Sequence, residues 1–319
     1  GSKGALEYYK DAIQIDPNFA PAYAELGELF ARAQRYQEAK EYYEKYLALS
    51  TNNLYAKVRY ASFLFLTKEY AQSLNQIKEI WQTDTTRNML NRLAAYASYE
   101  TKDYANGLNY IQKFFTRQPD SKVLPSDYAY LGKLLSASGQ DSLAVEKIRL
   151  AIEKDSSQAD LYSDLASIYA KMKKHDLAVE AYQQKIHAGK ATTNDYYRMG
   201  QSYYNLKQFG KADTAFSKVI EMQPKLSGGY LWRGRSNANL DLDGKLGLAK
   251  PFYEQLIVIA EEDSVKYRKE LIEALEYLGA FYYLTGDYTN SKVYWTRVKA
   301  IDPENEKAEV ALNDMKGKK

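Results

Sequence analysis

Residues 196–224 read YYRMGQSYYNLKQFGKADTAFSKVIEMQP, and this stretch contains every packing position that the rest of the chain repeats. Two runs of apolar and small residues recur at helical spacing, and a break at Lys207-Gln208 separates them. The first run consists of Tyr196, Met199, Gly200 and Tyr203, and the second of Ala212, Phe216 and Val219. Pro224 closes the second run, because proline cannot continue a helix. The stretch therefore predicts two short helices that fold back on each other, with the small Gly200 and Ala212 where the backbones cross.

The template recurs along the chain at a fixed period of 34 residues. The recurring aromatic, small and alanine positions are Tyr128, Tyr162, Tyr196 and Tyr230; Gly132, Ala166, Gly200 and Gly234; and Ala144, Ala178 and Ala212. Toward the N-terminus, the same step relates Ala5, Ala39, Ser73 and Gly107. A constant period of this length predicts stacked copies of one helical hairpin, because a single hairpin cannot bury its apolar face alone.

This period, with the order aromatic, Leu-Gly, aromatic, Ala, aromatic, Pro, resembles the tetratricopeptide repeat family over nearly the whole chain. The resemblance implies an all-α fold, namely a right-handed α-solenoid (superhelix) of about eight helix-turn-helix units in a single domain over residues 3–315. An orphan helix is expected before the first unit. The units are expected at 20–50, 54–84, 88–118, 125–155, 159–189, 193–223, 227–261 and 264–302, with a capping helix at 305–315.

The register departs from the strict period at three places. A longer joint runs from Asp120 to Pro125, and extra residues lengthen the turn from Asn239 to Gly244. Beyond that turn, residues 264–283 are predicted to form one unusually long first helix.

The N-terminal segment Ala5 to Ile15 has the pattern of a second helix without its partner. We expect Leu6, Tyr9 and Ile13 to lack part of their cover, and an upstream segment to stabilise this helix. Gly1-Ser2 resembles a cloning remnant, so we expect the natural chain to begin upstream of Gly1.

Composition excludes several classes of function. The net charge of +3 over 319 residues is small and no block of like charge stands out, so no nucleic-acid partner is predicted. With no cysteine, the chain has no disulfide, thiolate metal site or cysteine nucleophile. No apolar run reaches the length of a membrane span, so no membrane insertion is predicted. The compartment stays open, and the lack of cysteine favours a periplasmic or other extracytoplasmic one over the cytoplasm.

The first helices of such repeats are expected to line a concave groove that binds an extended peptide. Unit 193–223 shows a ladder of rings and amides on that face, where amides can pair with a peptide backbone and tyrosines offer contact area. The ladder consists of Asn194, Tyr197, Gln201, Tyr204 and Asn205. Neighbouring units add Arg92, Tyr96, Tyr99, Lys133, Lys171, Arg235 and Asn239, which make the predicted groove mixed and mildly basic.

The family's clamp for acidic chaperone tails is not predicted. Ala24 and Glu28 occupy groove positions of the first unit, and no three successive units supply the required Lys, Asn and Arg set.

No catalytic residue, metal site or cofactor is predicted. We interpret His175 and His187 as surface residues, since twelve residues apart they form no close helical pair. Asn239 to Gly244 alternates oxygen side chains like the start of a calcium loop. Lys250 stands where the closing Glu of such a loop belongs, so an ordinary turn is the better interpretation.

Two functions remain from the sequence. The favoured one is a non-enzymatic scaffold or adaptor that binds a protein or peptide in its groove, and the alternative is a structural or assembly module of a bacterial envelope complex that acts through its ends or edges. A carbohydrate-handling envelope lipoprotein would gain support from a lipid-anchor cysteine ahead of Gly1. The partner and the oligomeric state stay open.

Overall fold

The structure, a computed structural model, describes residues 2–50, 53–119 and 122–318. Within these ranges the chain forms eighteen helices and no strand, which confirms the all-α prediction. The predicted joint contains Asp120 and Ser121, which lie outside the described residues.

The chain divides into two compact bodies, an N-terminal body of Gly1–Ser156 and a C-terminal body of Ser157–Lys319. The predicted single domain stays a prediction. The N-terminal body contains α1 (Ser2–Ile15), α2 (Ala20–Arg32), α3 (Tyr36–Leu49), α4 (Leu54–Leu66), α5 (Tyr70–Trp81), α6 (Asn88–Glu100), α7 (Tyr104–Thr116), α8 (Pro125–Ala137) and α9 (Asp141–Lys154).

The C-terminal body begins with α10. Its helices are α10 (Asp160–Lys171), α11 (His175–His187), α12 (Thr193–Asn205), α13 (Phe209–Met222), α14 (Ser227–Leu240), α15 (Lys250–Glu261), α16 (Arg268–Leu284), α17 (Tyr288–Ile301) and α18 (Glu306–Asp314). In both bodies the even-numbered helices from α2 to α16 are the first helices of the hairpins, and each packs on the odd-numbered helix that follows.

The turn inside most hairpins is closed by a residue in the left-handed conformation. Residues with positive φ recur at Gln34, Lys68, Lys102, Lys173 and Lys207, with φ between 58° and 66°. After each, the next backbone N–H returns to a carbonyl five residues earlier, as from Gln208 to Tyr203 at 2.9 Å. This bond satisfies a carbonyl of the last helical turn that has no partner within the helix. The chain then reverses, so that the second helix packs against the first.

Small residues at the hairpin crossing make room for a ring or branched side chain from the second helix. A Cβ added at Gly200 would lie 2.7 Å from Cζ of Phe216, and one at Gly234 would lie 2.9 Å from Cζ of Tyr253. The close approach at Gly200 is therefore a ring against a backbone, whereas Ala212 is fully buried beside it.

Two further predictions concern α1 and α16. Leu6, Tyr9 and Ile13 of α1 are partly buried and pack against the core formed by α2, α3 and α4. The long first helix predicted from Ser264 is wrong at its start, because residues 264–267 form turns and α16 begins at Arg268. With 17 residues, α16 is still the longest described helix.

Candidate protein-binding surface

In the N-terminal body, Arg92 and Tyr96 bind a carboxylate that lies at the start of the next first helix. The Arg92 guanidinium donates from Nε and Nη2 to the two oxygens of Asp127, both at 2.7 Å. The Tyr96 hydroxyl donates to Asp127 Oδ1 at 2.6 Å. Asp127 is fully buried and also accepts the Leu124 N–H, which begins α8. These two predicted groove residues therefore join α6 to α8.

Tyr99 and Lys133 belong to an aromatic cluster between the same two helices. The Tyr96 ring stacks on Tyr130 at 3.9 Å, and Tyr99 meets Tyr130 edge-on at 5.7 Å. The Lys133 ammonium lies 5.6 Å from the Tyr130 ring centre, within the range of a cation–π contact. Burial, followed by the hydrogen bond to Glu100, raises the pKa of Tyr130. Tyr96 is buried in this cluster, whereas Tyr99 and Tyr130 are half-buried.

In the C-terminal body, Tyr197 and Tyr204 contact the following first helix, α14. The Trp232 indole N–H donates to the Tyr197 hydroxyl at 2.8 Å, and the Asn239 amide donates to the Tyr204 hydroxyl at 3.0 Å. The Tyr204 ring also meets Trp232 edge-on at 5.1 Å. Both tyrosines are half-buried, so only part of each ring faces solvent.

Arg235 forms a bidentate pair with Glu273 on α16. Its Nε and Nη2 lie 2.8 and 2.6 Å from the two carboxylate oxygens. The hydrogen bonds that Arg235 donates to the Glu273 carboxylate raise the pKa of Arg235, and the guanidinium lies 4.8 Å from the Trp232 ring centre. Arg235 therefore ties α14 to α16, as Arg92 ties α6 to α8.

The remaining predicted residues, Lys171, Asn194, Gln201 and Asn205, line one cavity, which we call the α10–α12 cavity. Its volume is about 570 Å³. The complete lining consists of Ser167, Ala170, Lys171, His175, Tyr182, Asn194, Arg198, Gln201, Ser202, Asn205 and Trp232. Asn194 and Asn205 are exposed and Gln201 is partly buried, so amide groups face solvent along this wall.

Seven of the eleven lining residues were absent from the predicted groove, and Arg198 and His175 are the basic ones among them. Arg198 is exposed, and its Nη1 donates to Gln201 Oε1 at 3.4 Å. The surface interpretation holds for His187, which is exposed, but was wrong for His175, which is half-buried. Its Nδ1 is buried without a hydrogen-bond partner in the described part of the chain. Helical spacing could not find His175, because it is the first residue of the second helix α11, and the predicted groove was drawn from first helices only.

A buried ion pair between α11 and α12 was also missed. Lys185 of α11 and Asp195 of α12 are 3% and 1% exposed, and Lys185 Nζ lies 2.8 Å from Asp195 Oδ2. Burial would raise the pKa of Asp195, but hydrogen bonds from Lys185, Ser163 and Thr192 lower it. The signal was present, since Thr192 and Asp195 form a capping box at the start of α12.

Asp195 and Asp127 occupy the same repeat position, because they lie 68 residues, or two periods, apart. Each binds the backbone N–H three residues before it, at 2.8 Å from Thr192 and 2.7 Å from Leu124. Each also forms an ion pair with a basic side chain of an earlier helix, Asp127 with Arg92 of α6 and Asp195 with Lys185 of α11. A buried acid at this place therefore anchors the start of a first helix.

A second cavity, of about 450 Å³, lies in the N-terminal body between α2 and α4. Glu28, the residue that argued against the chaperone clamp, accepts from Tyr43 at 2.8 Å and from Arg59 at 3.1 Å in this cavity. Tyr55 and Leu66 line it with 59% and 66% of their surface exposed. This cavity has internally paired charges and apolar walls.

The turn between α14 and α15 exposes leucines. Leu242 and Leu246 are 85% and 76% exposed. The turn is held from inside, because the buried Asp241 carboxylate accepts the Gly247 N–H at 2.8 Å. Asp241 belongs to the segment that resembles the start of a calcium loop, and its carboxylate binds a backbone N–H of its own turn.

Two kinds of feature are absent from residues 2–50, 53–119 and 122–318. Over these ranges, no helix is long and apolar enough to cross a membrane. In the same part of the chain, no three acidic or histidine side chains gather as metal ligands would.

Comparisons with known proteins give the family. A sequence profile described as "Tetratricopeptide repeat" matches residues 8–41, and a second profile of the same description matches residues 159–184 and 196–226. The C-terminal part of a TPR repeat-containing protein from Cytophaga hutchinsonii is 34% identical to this chain. It superimposes with a TM-score of 0.73, over 80% of this chain and 99% of that one.

More distant structures share the fold alone. The Cut9–Hcn1 hetero-tetramer of the APC/C is similar over 85% of this chain and 52% of that one, with 12% identity and a TM-score of 0.56. MamA, from residue 41 to its end, from Desulfovibrio magneticus RS-1 is similar over 56% of this chain and 97% of that one, with 17% identity and a TM-score of 0.50. The comparison with curated proteins found no match.

Proposed function

The chain belongs to the tetratricopeptide repeat family, and from this premise we propose that it is a scaffold that binds an extended segment of a partner protein. Proteins of this family are generally non-enzymatic scaffolds that bind protein partners. We place the binding surface on the first helices of the C-terminal body, from α10 to α14.

The observation that carries this proposal is the α10–α12 cavity. Asn194, Gln201 and Asn205 line its α12 wall, and they can pair with the N–H and C=O groups of an extended chain. A polypeptide that enters a polar groove must replace the water on its backbone groups, since an unpaired buried amide costs free energy. Side-chain amides supply both donors and acceptors for this purpose.

Tyr197, Tyr204 and Trp232 extend the surface beyond the cavity toward α14. Their polar atoms bond one another or Asn239, so these rings are held in place before any ligand arrives. Rigid rings lose little conformational entropy on binding and supply apolar contact area. We expect them to contact side chains of the bound segment while the amides contact its backbone.

A random peptide library displayed on phage tests the proposal. We expect the whole chain to enrich a family of related sequences. Replacing both Asn194 and Gln201 by Ala should weaken a synthetic enriched peptide about tenfold, the loss typical of a central interface position. Gln184→Ala is the matched control, because Gln184 is an exposed glutamine on the second helix α11. Failure to enrich any sequence, or an equal loss in the control, would reject this surface.

The exposed leucines favour a second candidate, assembly of copies of this chain through the α14–α15 turn. Leu242 and Leu246 are far more exposed than the tyrosines of the predicted ladder. Apolar side chains presented on a fixed turn are typical of contacts between protein surfaces. If this candidate is correct, analytical ultracentrifugation should show an oligomer, and replacing both Leu242 and Leu246 by Ser should dissociate that oligomer. A protein that stays monomeric at every concentration would contradict this candidate.

A further inference from the structure

The helices α16, α17 and α18 form an apolar pocket, which we call the α16–α18 pocket. Its volume is about 610 Å³. The lining consists of Ala280, Tyr283, Leu284, Trp295, Glu306, Lys307, Val310, Ala311 and Asp314. Trp295 is buried, whereas Leu284 and Val310 are 51% and 68% exposed. The pocket therefore presents apolar side chains that the described part of the chain leaves uncovered.

The α14–α15 turn packs on the same helix α16, beside this pocket. A Cβ added at Gly244 would lie 3.1 Å from Cδ1 of Leu284, and one at Gly247 would lie 2.8 Å from Cε2 of Phe281. Leu284 thus contacts the turn and also lines the pocket. The described lining of the pocket includes no residue of the turn, so the exposed leucines of the turn do not fill the pocket of their own chain.

The turn and the rim of the pocket carry charges of opposite sign. Lys245 of the turn and Glu306 of the rim are both exposed, and neither forms an ion pair within the described ranges. The other charged lining residues are paired inside the chain, in the pairs Lys307–Glu276 and Asp314–Lys318. The turn also exposes Asp243, so its exposed charges cancel and attraction requires that Lys245 face the rim.

The position of these two features determines what kind of assembly they can form. An apolar projection that fits a pocket on a distant surface of the next copy generates open filaments. Here the turn and the pocket meet at Leu284. A two-fold rotation can therefore bring the turn of each copy to the pocket of the other, and such a contact closes after two copies.

We infer that two copies of this chain form a closed dimer in which Leu242 and Leu246 of each copy enter the α16–α18 pocket of the other. Lys245 then faces Glu306 of the partner copy. The Asp241 carboxylate already holds the turn by the Gly247 N–H, so little conformational entropy is lost when the leucines are buried. This inference rests on the second candidate function, assembly through the α14–α15 turn, and adds the receiving site and the number of copies.

Analytical ultracentrifugation of the whole chain tests the inference. We expect a monomer–dimer equilibrium, and Val310→Arg should raise its dissociation constant at least about tenfold, because it places a charge in the apolar wall. Val258→Arg is the matched control, since Val258 is 58% exposed on the second helix α15 and does not line the pocket. The control should change the constant less than about twofold, as is typical of surface substitutions outside a contact. Far-UV circular dichroism verifies that both variants are folded.

An exchange of charges tests how the turn is placed in the pocket. Lys245→Glu alone should raise the dissociation constant about threefold or more, because the partner carboxylate then meets a like charge. Adding Glu306→Lys to the same chain should restore the constant to within about twofold of the original value, since the reversed pair forms at both contacts. Additive losses in the double variant would overturn the inference.

The remaining outcomes separate this inference from the functions on which it depends. If replacing Leu242 and Leu246 by Ser dissociates the dimer while Val310→Arg does not, the turn binds elsewhere; the inference is then wrong and the second candidate stands. A chain that is monomeric at every concentration rejects both. Oligomers that grow beyond two copies contradict the closed dimer. If Val310→Arg abolishes binding of an enriched peptide and leaves the dimer intact, the pocket belongs to the bound segment instead.

Discussion

At the scale of single residues, the glycines at hairpin crossings are defined by what lies against them. Gly200 faces the Phe216 ring, which Tyr197 contacts edge-on at 5.7 Å and Trp232 stacks against at 5.6 Å. The ring is confined by aromatic neighbours, so it has little freedom to move away from an added methyl group. A glycine is therefore required here by packing rather than by backbone conformation.

Gly200→Ala is accordingly expected to destabilise the protein by about 1–3 kcal/mol through overpacking. Gly210→Ala is the matched control, because an added Cβ at Gly210 meets nothing within 4 Å. Alanine there should be neutral or stabilise α13 by up to about 1 kcal/mol, since glycine is a poor helix former. Urea denaturation measures both free energies of unfolding, and equal values for the two variants would contradict the packing account.

The Lys185–Asp195 pair makes the stability of the C-terminal body depend on pH. Because hydrogen bonds from Lys185, Ser163 and Thr192 outweigh burial, the folded-state pKa of Asp195 lies below its ordinary value of about 3.9. A lowered pKa contributes stability above the unfolded-state value, and that stability is lost as pH falls through the folded-state value.

We therefore expect the free energy of unfolding to fall as the pH drops below about 4, and Asp195→Asn to flatten this part of the curve. Burial would lower the pKa of Lys185, but Asp195 and Asp160 raise it. The contribution of Lys185 is therefore lost only at alkaline pH. Denaturant titrations of both proteins between pH 3 and 7 make the comparison, and parallel curves would mean that Asp195 does not titrate as proposed.

At the scale of elements, polar bridges join consecutive first helices at separations close to one repeat. Arg92 and Asp127 lie 35 residues apart, as do Tyr197 and Trp232. The carboxylates in these bridges differ in how deeply they are buried. Asp127 is fully buried, whereas Glu273, the partner of Arg235, has a side chain that is 33% exposed.

Arg92→Met should cost more than Arg235→Met. The first change leaves Asp127 as a buried carboxylate without its cation, which typically costs about 3–5 kcal/mol. The second leaves Glu273 partly hydrated, so a loss of about 1 kcal/mol or less is expected. Amide hydrogen exchange in α8 for the first variant and in α16 for the second gives the local free energies, and similar losses would contradict the role of burial.

Helical spacing was enough to predict the hairpins, because the apolar face of each helix must be buried on its neighbour. It could not predict which groove side chains the next repeat engages. Tyr197 and Tyr204 have the pattern of free anchors in a single hairpin, and their bonds to Trp232 and Asn239 depend on how two hairpins stack. The left-handed turns could not be predicted either, because lysines such as Lys68 and Lys207 occupy positions where a glycine would usually indicate positive φ.

At the scale of the whole molecule, composition contains little information about the partner. A net charge of +3 gives no overall field that would select a partner, so recognition must depend on local surfaces. Among the local surfaces of the C-terminal body are the polar α10–α12 cavity and the leucines of the α14–α15 turn. They call for ligands of opposite character, and a single measurement can therefore separate them.

That measurement is the nitrogen–proton correlation spectrum of the labelled protein, recorded while an enriched peptide is added. The side-chain NH₂ groups of Asn194, Gln201 and Asn205 give signals of their own, and these amides line the cavity. If the first-helix face binds the segment, these signals and the Trp232 indole N–H shift at saturation, while backbone signals of residues 242–248 stay in place. Shifts confined to residues 242–248, with the three side-chain amides unmoved, would contradict the account.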